Sequence, residues 1–317
     1  MKTIVKAPVL LIGFNRSDTM QQVFNAVRRA QPDKLYYAVD GARPNKDGEK
    51  EKVQQVRDII SQVDWPCEVH TLFREENVGC GFGPADAITW AFENEDRLIV
   101  LEDDCVPSQS FFRFCHEMLE LYKEDKRVNL VSGRSHHGGS RFFAKYDYIF
   151  TRYAHTWGWA TWKRAWNEFD IRMSDVPEFV AEGGAMNIEQ DVALGKKKNR
   201  DLLKKFKNID KEVTHSWDSQ WSYTRYKTGL GIVPCQNLIH NIGEFGTHSF
   251  GHTKTNDLLA GEMPDILRHP RFVMVNQEYE NYHYKNHIAK KPSLLSRVFG
   301  KIRREGVVAA VKNYFHH

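Results

Sequence analysis

The run Leu98-Ile-Val-Leu-Glu102-Asp103-Asp104 has the composition of a buried β-strand that is followed at once by three carboxylates. Adjacent carboxylates repel one another, and a divalent cation relieves that repulsion by taking their oxygens as ligands. The sequence therefore predicts a metal site where this strand ends. The alternative is a solvated loop whose acids cap the next helix, because Pro107 and Ser108 follow.

Working outward from this run, short apolar segments alternate with amphipathic ones at intervals of about 25 to 30 residues, which is typical of βαβ units. The predicted strands are residues 9–12, 35–39, 69–73, 98–101 and 128–131, and the predicted helices are 17–29, 50–61, 84–92 and 111–122. This order predicts an α/β fold with a mostly parallel sheet and helices on both faces. Ser17 is predicted to cap the first helix, and Pro84 to lie in the first turn of the third.

Polar residues also follow the first two predicted strands, namely Asn15 and Arg16 after one and Asp40 after the other. Arg16 can pair with a phosphate through two parallel hydrogen bonds, and Asp40 can accept hydrogen bonds from a base or a ribose. Taken singly, each is equally typical of a surface turn. Ligands of such sheets lie beyond the carboxyl ends of the strands, so their joint placement beside the acids favours a nucleotide site.

The segment Asn77-Val-Gly79-Cys-Gly81-Phe-Gly83 superficially resembles a dinucleotide-binding fingerprint. The last glycine of that fingerprint is missing, and the segment follows the third strand instead of the first. Two interpretations stay open: backbone near Gly79 lines a nucleotide, or the segment is a flexible turn before the third helix.

After about residue 135 the alternation gives way to an aromatic, loop-rich stretch that is expected to pack on the sheet. Trp162 and Trp166, at helical spacing, are predicted to lie in the core. Gly158 permits a close approach of backbone to ligand, and Trp159 suits the C–H face of a sugar. The stretch holds six of the eight tryptophans: Trp157, Trp159, Trp162, Trp166, Trp217 and Trp221.

Asp218 stands between Trp217 and Trp221 in this stretch. Apolar rings disfavour the charged carboxylate, so the pKa of Asp218 is expected to rise toward that of a general base. The alternative is an aspartate that caps a helix. Further along, His248 in a polar loop could contact a phosphate or a metal, although a lone histidine more often has a structural role.

Composition limits the class of protein. With 41% hydrophobic and 27% charged residues the chain is typical of a soluble globular enzyme. No apolar run reaches the roughly 18 residues of a membrane span, and no cleavage site follows the amino-terminal segment. The five cysteines form no C-x-x-C pair, which indicates reduced thiols, no zinc site and a cytoplasmic location.

The net charge of +4 comes from the end of the chain. Residues 290–317 hold seven Lys or Arg against Glu305, which leaves 38 basic and 40 acidic residues in the first 289. Basicity confined to a tail argues against a nucleic-acid partner and favours peripheral contact with an anionic membrane. The alternative is a terminal helix packed on the domain. One apolar helical face is formed by Leu294, Leu295, Val298, Phe299 and Ile302, and a second by Val307, Val308, Val311 and Phe315.

With these residues assembled, the chain resembles glycosyltransferases of the GT-A nucleotide-diphospho-sugar transferase superfamily, and it is similar to the N-acetylglucosaminyltransferase I type. The resemblance implies a Rossmann-like GT-A fold in which Asp104 binds manganese or magnesium, Glu102 and Asp103 contact the nucleotide sugar, and Asp218 is the catalytic base. The matching segments are the block from Pro8 to Ser17, Leu101 to Asp104 with Pro107 and Phe111-Phe112, Gly158-Trp159, and Trp217-Asp218.

The expected activity is inverting transfer of a sugar from a nucleotide-diphosphate donor, with UDP-N-acetylglucosamine as the donor that the resemblance suggests, to a glycan or lipid-linked acceptor in polysaccharide biosynthesis. The expected parts are a nucleotide-sugar-binding part at 1–135, an acceptor and catalytic part of the same domain at 136–255, and a carboxyl-terminal extension at 256–317. Lacking the anchor of Golgi enzymes, the chain is expected to be a bacterial-type cytoplasmic enzyme.

Two other functions stay open. A sugar-nucleotide pyrophosphorylase shares the sheet and the metal but carries a Gly-rich, basic phosphate loop near its amino terminus, which Phe14-Asn15-Arg16 does not resemble. The second is a non-catalytic carbohydrate-binding protein with the same fold, because fold does not determine function.

Overall fold

The computed structural model describes residues 6–244 and 257–288, and the chain divides into two compact units, Met1–Asn276 and Gln277–His317. His248 and the predicted tail helices lie outside the described residues. The strands are β1 Val9–Gly13, β2 Lys34–Val39, β3 Glu68–Phe73, β4 Arg97–Glu102, β5 Cys105–Pro107, β6 Val128–Ser132, β7 Tyr148–Thr151, β8 Trp159–Trp162, β9 Leu230–Pro234 and β10 Ile239–Asn241.

The helices of the first unit are α1 Ser17–Ala30, α2 Glu49–Asp58, α3 Gly79–Ala91, α4 Gln109–Leu121, α5 Lys163–Trp166, α6 Val176–Ala181, α7 Ala185–Ile188, α8 Val192–Lys207, α9 Ile209–His215 and α10 Asp218–Thr228. Short 3-10 turns follow at Ile59–Gln62 and Arg141–Phe143. In the second unit, α11 Gln277–His283 continues into a π-helical turn, Tyr284–Ile288. None of the helices in the two described ranges is long and apolar enough to cross a membrane.

Eight strands form one sheet in the order β3-β2-β1-β4-β8-β6-β9-β7. β1 pairs in parallel with β2 and β4, β2 with β3, and β6 with β9. β8 lies antiparallel between β4 and β6, and β7 is antiparallel to β9. The predicted mostly parallel α/β fold is thus confirmed, and β7, β8 and β9 show that the chain beyond residue 135 completes the sheet. β5 and β10 form a separate antiparallel pair.

Helices cover both faces of this sheet, as predicted. Consecutive side chains of a strand point to opposite faces. Tyr37 of β2 donates its hydroxyl to the carbonyl of Val56 in α2 at 2.6 Å, whereas the ring of Tyr36 lies edge-on to Trp90 in α3, 5.1 Å between centroids. Burial from both sides explains why β1 and β4 read as continuous apolar runs instead of alternating ones.

Two predictions about helix starts were wrong. α3 begins at Gly79, so the glycine-rich segment is its first turn and Pro84 lies inside it. The carboxylate of Asp40, which follows β2, accepts the N–H groups of Val78 and Gly79, each at 3.1 Å, and so caps this helix. Ser17 is the first residue of α1 and makes no cap, because its hydroxyl donates to Gln55 in α2.

Candidate active site at the carboxyl ends of the strands

The sheet brings the polar residues that follow three of its strands to one edge. Because β1 is parallel to both β2 and β4, the carboxyl ends of these strands are adjacent. Arg16 follows β1, Asp40 follows β2, and Glu102 ends β4 opposite Ile12 of β1. The juxtaposition predicted from strand order is therefore present in the structure.

Arg16 joins two of the three strand-end acids. Its Nε donates to Asp103 Oδ2 at 3.2 Å, while its Nη2 contacts Asp103 Oδ1 and donates to Asp104 Oδ2 at 2.9 Å. Burial lowers the pKa of the Arg16 guanidinium, but the two carboxylates outweigh it and raise that pKa above its ordinary value. The arginine expected to bind phosphate is thus paired with acids, which keep it charged.

Glu102 and Asp103 lie on opposite faces of the sheet. Asp103 lies beside Gly13, near the side chains of Met20 in α1 and Val56 in α2. Burial also raises the pKa of Asp103, while Arg16 opposes that rise. The three acids therefore do not form one cluster around a shared point.

On the other face, burial raises the pKa of Glu102 to about 8, and the negative charges of Asp104, Asp103 and Asp218 add to the effect, whereas Arg16 opposes it. A carboxyl with this pKa keeps its proton at neutral pH. The electrostatics of the site therefore show an excess of negative charge that a cation would relieve.

The acidic residues at this edge suit a metal ion that is shared with substrate phosphates and water, and not one held by protein ligands alone. Among the described residues of the first unit, no three His, Cys, Asp or Glu side chains bring their ligand atoms within 4.8 Å of one another. A cage made only of protein ligands is therefore not built here. Magnesium-type ions are commonly held by one or two carboxylates together with substrate phosphates and water. Asp104, with 14% of its side chain exposed, fits that mode.

The carboxylate of Asp40 is engaged with backbone. Besides the two N–H groups of α3, it accepts the N–H of Gly41 at 2.9 Å and the side-chain amide of Asn77 at 2.9 Å. Burial raises the pKa of Asp40 although these backbone N–H groups oppose the rise. Asp40 and Gly79, both predicted to contact the nucleotide, are thus in contact with each other.

Asn15 points toward the first residue of α2. Its amide donates to Glu49 Oε1 at 2.9 Å, and Arg43 donates to the same carboxylate through its N–H and its guanidinium. The hydrogen bonds from Arg43 lower the pKa of Glu49 to about 2. Asn15 therefore lies at the predicted edge and helps to fix the 43–49 loop there.

The Trp157–Trp159 segment is packed against protein. Trp159 is fully buried, with ring centroids 5.6 Å from Trp217 and 5.7 Å from Trp221, so in this structure its ring offers no face to a sugar. Gly158 has φ of 59°, and a Cβ there would lie 2.2 Å from Ile239 Cδ1. Packing on Ile239 thus accounts for this glycine without a ligand.

Asp218 is the first residue of α10 and is exposed, while Trp217 and Trp221 beside it are buried. The apolar surroundings expected for its carboxylate are not present, because both rings turn toward Trp159 of β8. Trp159 pairs with Val100 of β4, two residues before Glu102. Asp218 therefore lies over the face of the sheet to which Glu102 points, and its carboxylate accepts a hydrogen bond from Ser216 Oγ.

Two buried polar residues near β10 were not identified from sequence. Arg134, directly after β6 and Gly133, is 0% exposed, donates to the carbonyl of Ile239 at 3.3 Å and stacks 5.1 Å over the ring of Trp157. Burial lowers its pKa to about 10. Its position after a strand was the available signal. The second is Asn241, whose amide donates to Asp104 Oδ1 at 3.2 Å and whose only signal was its place in a polar loop.

No protein-family model matches the chain, and neither does any curated protein compared with it. Among solved structures, it is similar to the crystal structure of the glycosyltransferase GlyE in Streptococcus pneumoniae TIGR4, with 14% sequence identity and a TM-score of 0.32. The similarity covers 67% of this chain and 45% of that one, so the chain spans less than half the length of that protein. A similarity of this size assigns no family.

Proposed function

We propose that the protein is a metal-dependent glycosyltransferase that moves a sugar from a nucleotide-diphosphate donor to a hydroxyl of a glycan or lipid-linked acceptor. The observation that carries the proposal is the Arg16–Asp103–Asp104 ion-pair group at the carboxyl ends of adjacent parallel strands, with Asp218 over the neighbouring face. In open α/β sheets this edge is where ligands bind.

The group supplies the opposite charges that a diphosphate and its metal require. Asp104 would hold manganese or magnesium, and Asp103 would keep the Arg16 guanidinium at the same edge, where it can pair with phosphate oxygens. When bound, such an ion acts as a Lewis acid and neutralises the departing diphosphate. Asn15, Asp40 and Gly79 border the same edge and are proposed to contact the nucleotide.

Asp218 is proposed as the base. Its carboxylate is exposed, so an acceptor hydroxyl can reach it, and Ser216 donates only to Oδ1, which leaves Oδ2 to accept a proton. Removal of the hydroxyl proton as the oxygen attacks the anomeric carbon, opposite to the leaving diphosphate, is a single displacement and inverts the configuration. Glu102, on the same face of the sheet, is proposed to contact the donor sugar.

The donor is proposed to be UDP-N-acetylglucosamine, on the resemblance of the sequence blocks alone. Trp159 is buried, so contact with the sugar would be made by other groups near Gly158, such as the partly exposed Trp157.

The test is a screen of nucleotide sugars with and without manganese, following thermal shift and release of free sugar, with Asp104→Ala as the negative control. Manganese-dependent hydrolysis of one donor, lost in Asp104→Ala, supports the proposal. Binding of sugar without manganese and without hydrolysis of any donor would favour a carbohydrate-binding protein. Formation of a nucleoside triphosphate from a sugar nucleotide and pyrophosphate would favour a pyrophosphorylase.

A further inference from the structure

The carboxylate of Asp104 is held from two sides. Oδ1 accepts hydrogen bonds from the side-chain amide of Asn241 at 3.2 Å and from the thiol of Cys105 at 3.5 Å. Oδ2 accepts one from Arg16 Nη2 at 2.9 Å. The two oxygens of the same carboxylate therefore have different partners, one set formed by neutral groups and the other by a charged one.

Asn241 is fixed by the backbone around it. It pairs with Cys105 in the antiparallel ladder of β10 and β5, and the next N–H, that of Ile242, donates to the carbonyl of Asp104 at 2.9 Å. The N–H of Gly243 donates to Asn241 Oδ1 at 3.2 Å, which leaves Nδ2 facing Asp104. Asn241 is 6% exposed, so these contacts are largely shielded from solvent.

The partner of Oδ2 is less confined. The side chain of Arg16 is 26% exposed, and its guanidinium already shares its hydrogen bonds between Asp103 and Asp104. A cation that replaces Arg16 at Oδ2 leaves Arg16 paired with Asp103, so the exchange costs one contact and not the whole ion pair. The amide of Asn241 contacts Asp104 Oδ1 and, at 3.8 Å, Cys105 Sγ.

We propose that Asn241 is a positioning residue of the metal site, which holds Asp104 through Oδ1 and thereby presents Oδ2 to the cation. The inference rests on the proposed function, because it assigns a role within that site. Groups that hydrogen-bond to a ligating carboxylate fix its orientation, and their loss commonly weakens metal binding by about 10- to 100-fold.

Gly243 lies beside Oδ2 of the same carboxylate, where a larger residue would occupy the space next to the oxygen proposed to bind the cation. A Cβ built on Gly243 would lie 2.2 Å from Asp104 Oδ2 and 2.9 Å from its Cγ. The backbone of this residue therefore passes directly against the carboxylate, and any side chain there would displace it. β10 and the residue pair that follows it thus form one wall against which Asp104 is seated.

The experiment compares Asn241→Leu with Asn199→Leu. Both asparagines are 6% exposed, and the amide of Asn199 makes two contacts of its own, accepting the N–H of Ala185 at 2.7 Å and donating to the carbonyl of Gly183 at 2.9 Å. The readout is the Kd of UDP with and without manganese, measured by calorimetry, together with the Tm. The Tm of both variants is expected to fall below that of the wild type. Only Asn241→Leu is expected to lose the gain in affinity from manganese, by about 10- to 100-fold, with the metal-free Kd unchanged.

An unchanged manganese effect in Asn241→Leu, or an equal loss in Asn199→Leu, overturns the role of Asn241. If Asn241→Leu does not fold, Asn241→Ser takes its place, because serine is too short to reach Asp104. It too is expected to lose the manganese effect, and an unchanged manganese effect would overturn the role of Asn241. If the wild-type protein shows no manganese effect with UDP, GDP, CDP or dTDP, the proposed function itself fails, a result distinct from failure of the positioning role alone.

Discussion

Arg16 Nη2 and Asp104 Oδ2 lie 2.9 Å apart, so the carboxylate proposed to bind the metal is already paired with a cation. The same guanidinium is held by both oxygens of Asp103. A metal ion at Oδ2 and the Arg16 guanidinium would repel each other at this distance, so we expect metal binding at this oxygen to move Arg16 away from it. In the proposed reaction the donor diphosphate provides the new partner for Arg16.

Arg16→Ala should change the two affinities in opposite directions. Manganese alone should bind about tenfold more tightly, because a competing positive charge a few ångströms away is removed. A nucleoside diphosphate should bind more weakly, because it loses a guanidinium partner. Calorimetric titration with each ligand separately measures both effects.

Arg16→Lys is the matched control for this prediction. It keeps the charge and loses the planar fork, so the manganese affinity should stay near that of the wild type while the nucleotide affinity falls. A decrease of manganese affinity in Arg16→Ala would contradict the competition between Arg16 and the metal.

Asp104→Ala should abolish the manganese-dependent part of nucleotide binding and leave the fold intact, because the residue lies beyond the end of β4 and outside the packed strand. Thermal shift with manganese and UDP measures the first, and circular dichroism the second. Asp201→Ala, which removes an exposed carboxylate paired with Lys197, should behave as the wild type. Full manganese-dependent binding in Asp104→Ala would refute the assignment of the ligand.

Asp218→Asn should lower turnover by at least about 100-fold with nearly unchanged donor affinity, because the amide keeps the shape but cannot accept a proton. The comparison variant is Glu102→Gln, which should mainly weaken donor binding. Steady-state kinetics with a competent acceptor separate the two effects. If Asp218→Asn turns over normally while Glu102→Gln does not, the base is Glu102.

The contribution of Glu102 to the stability of the metal-free protein should fall as pH rises from about 4.5 to about 8. Glu102 retains its proton up to about pH 8 in the folded state, whereas its ordinary pKa is 4.5. In that interval the folded state binds more protons than the unfolded state, so the free energy of unfolding decreases with pH. Urea unfolding in EDTA at pH 5, 6.5 and 8 measures this slope.

Glu102→Gln should flatten that slope, because the amide does not titrate. Manganese should act in the opposite sense, with a stabilisation that grows as pH rises, since it competes with protons for the same acids. Equal slopes for the wild type and Glu102→Gln in EDTA would show that Glu102 ionises normally.

The basic tail at 290–317 is proposed to bind anionic membranes, because it carries seven Lys or Arg and one acid. Each basic residue near an anionic surface contributes about 1 kcal/mol, and the interaction is screened by salt. The intact protein should cosediment with anionic and not with neutral liposomes, and less so as salt rises. A chain that ends at Ala289 should stay folded and no longer cosediment. Unfolding of that shorter chain would instead indicate a structural tail.

Sequence periodicity predicted the strands that form a continuous apolar run in the sequence. β1, β2 and β4 are continuous apolar runs, and each observed strand contains the predicted segment. β8, Trp159–Trp162, was not predicted as a strand. Its two tryptophans also fit a helical spacing with Trp166, which indicated a helix instead. Their strand state depends on pairing with β4 and β6, which are distant in sequence.

The same distinction applies to the site. Glu102, Asp103 and Asp104 stand out in the sequence because they interrupt an apolar run. The contact of Asn241 with Asp104 spans 137 residues, and no local pattern signals it. The start of α3 was misplaced for a similar reason, since its cap is the side chain of Asp40, 39 residues before Gly79.

The cluster of Trp159, Trp166, Trp217 and Trp221 gives the protein an intrinsic optical reporter. In five of the six pairs the ring centroids lie 5.1 to 6.3 Å apart, close enough for the indoles to couple electronically and to give a strong near-ultraviolet circular dichroism signal. Trp217 and Trp221 flank Asp218 at the start of α10. A ligand that shifts the start of this helix will therefore change that signal without any added label.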